Sequence, residues 1–60
     1  MTKKQKEEIA EAIYQLKDLQ ESNDTESAHA EADGILCTVL KVLGHSELVE
    51  EYEKVEKWYA

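Results

Sequence analysis

Glu26, His29 and Asp33 are the residues of this chain whose types and spacing best suit chemistry. They recur at i, i+3 and i+7, which places them on one side of a helix. Glu26-Ser27-Ala28-His29 matches Glu-x-x-His, the ligand pair of di-iron helical bundles. A carboxylate and an imidazole one turn apart can chelate a divalent ion, given more carboxylates from another helix, where Glu8 and Glu11 are available. This metal-binding reading with Glu26, His29 and Asp33 is the rival to a plain one, in which His29 pairs with Glu26 or Asp33 along its own helix. A His beside carboxylates also suits proton transfer. No nucleophile or set of oxyanion donors accompanies it, and 60 residues leave little room for a closed reaction centre. The chain is therefore expected not to be an enzyme and to need no cofactor. Glu8-x-x-Glu11 matches half of the magnesium motif of the all-α nucleotide pyrophosphohydrolases, but Glu31-Ala32-Asp33 has the wrong spacing for the other half.

A second group closes the chain: Lys54, Lys57, Trp58 and Tyr59. Tyr59 can complete a core stripe with Trp58 at its edge. The functional reading is an aromatic hot spot or stacking platform flanked by positive charge. A nucleotide ligand would require His29, Lys54, Lys57, Trp58 and Tyr59 to converge across subunits. Cys37 lies in apolar surroundings with only Lys41 one turn away, so it reads as a small hydrophobe rather than a reactive thiol.

Three helices must position these groups. Residues 2–22 read as the first, with Ile9, Ala12, Ile13, Leu16 and Leu19 as its apolar stripe and Glu7, Glu11, Gln15 and Asp18 opposite. Lys3, Lys4 and Lys6 sit at the wrong end for the helix dipole, which predicts fraying. Ser22-Asn23-Asp24-Thr25 is a break, and either Asn23 or Asp24 can cap a second helix over 25–43. Gly44 is suited to end that helix. Ser46 is the expected cap of a third helix over 47–59, with the stripe Leu48, Tyr52, Val55 and Tyr59. Glu50 and Lys54 are expected to pair within it. The second helix is unusual. Ala28, Ala32, Ile35, Leu36, Val39, Leu40, Val42 and Leu43 cover more than half its circumference, so it calls for neighbours on several sides. Gly34 with Ala28, Ala30 and Ala32 makes its first half small, inviting close approach of a backbone or flat ligand.

The expected fold is thus a single all-α domain over 1–60, a three-helix mini-bundle. A chain this size buries only about 60% of its unfolded surface. One cysteine rules out a disulfide within the chain, which leaves homo-oligomerisation, most simply a dimer, as the staple. Fourteen acids against seven basic residues, all lysine, give a formal charge of −7. That balance argues against general nucleic-acid binding. It fits either simple solubility or an acidic face that docks on a basic protein. The single cysteine, within an apolar helix, fits a reduced, cytoplasmic setting, and no run is long enough to span a bilayer, so no membrane partner is expected.

The stretch His29-Ala30-Glu31-Ala32-Asp33-Gly34-Ile35-Leu36, then Leu43-Gly44, Leu48-Val49-x-x-Tyr52 and the closing Lys57-Trp58-Tyr59-Ala60, resembles small proteins encoded by phages and prophages. The resemblance covers about the last two-thirds of the chain. It implies a setting in the host cell and transfers no residue role. It suggests a non-catalytic counter-defence factor that inhibits a host or defence protein, or sequesters a nucleotide immune signal. A small antitoxin or regulatory partner is a further alternative.

Overall fold

The computed structural model describes residues 1–56. It is all-α, with α1 at Lys3–Leu19, α2 at Thr25–Val42 and α3 at Ser46–Lys54. The described part of the expected three-helix arrangement is present, with shorter ends.

Local chemistry explains each boundary. Thr2 begins α1 with a capping box: its hydroxyl accepts from the Gln5 amide at 3.1 Å, and its own amide donates to Gln5 Oε1 at 2.9 Å. Gln5 Nε2 also donates to the Val42 carbonyl at 3.3 Å, tying the start of α1 to the end of α2. These bonds hold the turn that the lysine cluster alone was expected to fray. The helix stops at Leu19 rather than at residue 22. Gln20, Glu21 and Ser22 donate to carbonyls three residues back, a tightening that ends the α-helical ladder. Ser22 Oγ then accepts the Asp24 amide at 3.1 Å, and Asp24 caps α2 by accepting from the Ser27 amide at 3.1 Å.

Gly44 ends α2 as expected, at φ 90°. Its amide donates to the Lys41 carbonyl and that of His45 to the Leu40 carbonyl, the paired bonds of a Schellman motif. His45, not Ser46, occupies the cap position of α3 and gives no side-chain cap bond. The chain ends α3 at Lys54 because Val55 takes extended backbone, φ −72° and ψ 128°. The expected continuation through residue 56 is therefore absent. The part of the third helix assigned to residues 57–59 lies outside the described residues.

α2 packs against α1 and against α3, while α1 and α3 do not meet. The Cα atoms occupy 36 × 27 × 8 Å. A helix is about 4.6 Å across at Cα, and packed helix axes lie about 8–10 Å apart, so 8 Å is one layer. Ala12 of α1, Cys37 of α2 and Val49 of α3 are the buried apolar residues among those described, and Val49 is fully enclosed. They lie in the seams between helices.

Candidate functional site

The seam residues fix how each helix is rotated within the layer. With Ala12 turned to α2 and about 100° per residue, Ile9, Ile13 and Leu16 lie on one side of α1, and Glu8, Glu11, Gln15 and Asp18 on the other. The acidic side meets Glu31, Gly34, Ile35, Thr38 and Val39 of α2 in an open groove of about 660 Å³. No basic residue lines that groove. Gln15 Nε2 donates to Glu11 Oε1 at 3.4 Å along its wall.

α2 turns Ala32, Leu36 and Leu43 to the face opposite Gly34 and Thr38. On α3, Val49 points into the seam, so Leu48, Tyr52 and Val55 fall on one side and Ser46, Glu50 and Glu53 on the other. Both neighbours run back along α2, which puts Ile9, Ile13 and Leu16, then Ala32, Leu36 and Leu43, then Leu48, Tyr52 and Val55, on the same face. Exposure is high there: Ile13 49%, Leu36 56%, Leu48 57% and Val55 62%. Tyr14 is also exposed, on the outer edge of α1. The layer is thus apolar on one face and acidic on the other.

Asp33 belongs to the α2–α3 seam. Its Oδ1 accepts from the Tyr52 hydroxyl at 3.0 Å. That hydrogen bond to a carboxylate favours the protonated phenol and is the main reason the Tyr52 pKa is raised above its ordinary value of 10.0. Tyr52 is the residue that the sequence pattern treated only as part of a stripe; the signal available was its place at one end of α3, within reach of an acid on α2.

His29 is exposed on α2, one turn before Asp33 and two turns before Leu36, on the same face as Leu36. Glu26 is exposed in the first turn of α2. Among the described residues no group of three or more His, Cys, Asp or Glu side chains is arranged to hold a metal ion. Lys54 pairs with Glu51 at 2.9 Å, rather than with Glu50, on the outer side of α3 away from α2. It therefore does not face the surface that carries His29. Lys57, Trp58 and Tyr59 lie outside the described residues. Gly34, expected to mark a close approach, has none among the described residues: a Cβ there would meet nothing within 4 Å. Thr38 Oγ1 donates to its carbonyl at 2.9 Å. Cys37 is buried and its thiol is free. No helix among the described residues is long and apolar enough to cross a membrane. Comparison with family models, curated proteins and solved structures finds no match for this chain.

Proposed function

We propose that this chain is a small phage-encoded accessory protein that acts by non-catalytic binding in the host cytoplasm, as a homo-oligomer, to counter a host or defence protein. The observation that carries this reading is the division of one thin layer into an apolar face and an acidic groove. Contiguous exposed apolar surface marks an interaction site. The groove lined by Glu8, Glu11, Asp18 and Glu31 without a basic residue repels phosphate and attracts a basic protein surface. A protein target is therefore favoured over a nucleotide.

The test is affinity capture of the tagged chain from phage-infected host cells, followed by native mass spectrometry. A protein partner in stoichiometric amount, released by raised salt and lost from a variant carrying Glu8→Gln, Glu11→Gln, Asp18→Asn and Glu31→Gln, supports the reading. A bound nucleotide in place of a protein, or a partner that the variant retains in full, contradicts it.

A further inference from the structure

The layer has half of a core. Packed domains bury an apolar helix face against a second layer, and among the described residues no such layer covers Ile13, Leu36 or Leu48. Resting on the binding reading above, we infer that the missing layer is a second copy of this chain, seated apolar face to apolar face about a two-fold axis. The axis passes near Leu36, because α2 is the middle helix and Leu36 lies close to the middle of its uncovered face.

Three features select a second copy as the occupant. The first is area. A specific interface buries roughly 800 Å² on each partner, and an outline of 36 × 27 Å is large enough to supply it. The second is self-complementarity. A two-fold interface brings each patch onto its own copy, so the patch must tolerate itself. Ile, Leu, Val, Ala and Tyr dominate this face and no carboxylate falls on it, while Lys6 beside Ile13 and His29 beside Leu36 add polar groups that long or rotatable side chains can turn aside. The third is the position of the acids. The chain carries a formal charge of −7, and face-to-face pairing turns Glu8, Glu11, Asp18, Glu31, Glu50 and Glu53 outward on opposite sides of the pair. Stacking the acidic faces instead would bring the groove acids of one copy onto those of the other.

The arrangement has a functional consequence. The dimer is a six-helix, two-layer body with one acidic groove on each outer surface. It presents two equivalent docking sites pointing in opposite directions and is bivalent for a basic partner. Two linked sites raise avidity for a partner that is itself multimeric, without any new contact.

Sedimentation equilibrium on the full chain tests this, using wild type, Leu36→Asp and Glu11→Gln. Wild type and Glu11→Gln are expected at twice the 6.9 kDa chain mass. Leu36→Asp is expected to require at least tenfold more protein to reach half-association. Leu36→Ala, which adds no charge, is included with circular dichroism at each concentration, so that loss of helix is distinguished from loss of pairing. An oligomer unaffected by both Leu36 variants but weakened by Glu11→Gln overturns the face assignment and leaves the homo-oligomeric reading standing. A helical wild-type monomer throughout the micromolar range overturns both.

Discussion

The two faces of the layer come from the same three helices, yet they are finished in different ways. On the acidic face, polar side chains stand at the surface, and Gly34 and Thr38 leave an open groove between α1 and α2. On the apolar face, Leu36 and Leu48 stand more than half exposed among the described residues. The first face is complete as it is, because water satisfies it. The second is complete only when covered. On the proposal above, self-association and partner binding fall on opposite sides, so each is expected to be alterable without the other.

Adjacent residues of α3 give the strongest way to break this division. Val49 is fully enclosed in the α2–α3 seam and Leu48 beside it is 57% exposed. Val49→Ala is expected to cost about 2 kcal/mol from lost apolar burial and the cavity left behind, at any protein concentration, measured by urea denaturation. Leu48→Ala acts through pairing, so its cost is expected to grow with protein concentration. Equal and concentration-independent losses would show that Leu48 is not an interface residue.

Next in size is Gly44→Ala. At φ 90° a side chain is strained by roughly 1 kcal/mol or somewhat more, which should appear as a lower thermal midpoint with the oligomeric state retained. Gly34→Ala should do the reverse. It lies inside a helix, with open space where a Cβ would go, so alanine is expected to stabilise by about 1 kcal/mol. A loss of stability or of pairing on Gly34→Ala would mean that a neighbour sits on the acidic face. The smallest effect concerns Tyr52. Its folded pKa is raised by the bond to Asp33. The stabilisation is therefore whole below the unfolded value near 10 and is lost as pH rises through the higher folded value. Tyr52→Phe should flatten that alkaline decline in a pH series of thermal melts.

Much of the fold was legible in the sequence. The ends of α2 were announced by a capping side chain, left open between Asn23 and Asp24 and taken by Asp24, and by the left-handed backbone of Gly44, both of which act locally. The end of α1 was not legible, because Gln20 and Glu21 are good helix formers and only their bonding to nearer carbonyls ends the ladder. The start of α3 was misplaced by one residue because Ser46 is the better capping residue, yet the Schellman motif already commits His45 to the turn. The site was legible only in part. Periodicity gives each helix its stripe but not the angle between two seams on one helix. α2 meets α1 and α3 on opposite sides, and that geometry leaves Leu36 in the open and sorts the acids of α1 and α3 onto one face. It also brings Asp33 against Tyr52 across the α2–α3 seam, a pairing that spacing along α2 alone does not reveal.

The central claim is that the apolar face is the seam between two copies and the acidic face is not. Isotope-filtered NMR on a mixture of labelled and unlabelled chains tests it most directly, because it reports contacts between copies alone. The account predicts intermolecular contacts among the methyl groups of Ile13, Leu36, Leu43, Leu48 and Val55, and none from Thr38 in the groove. Intermolecular contacts from Thr38 with silence at Leu36 would contradict it.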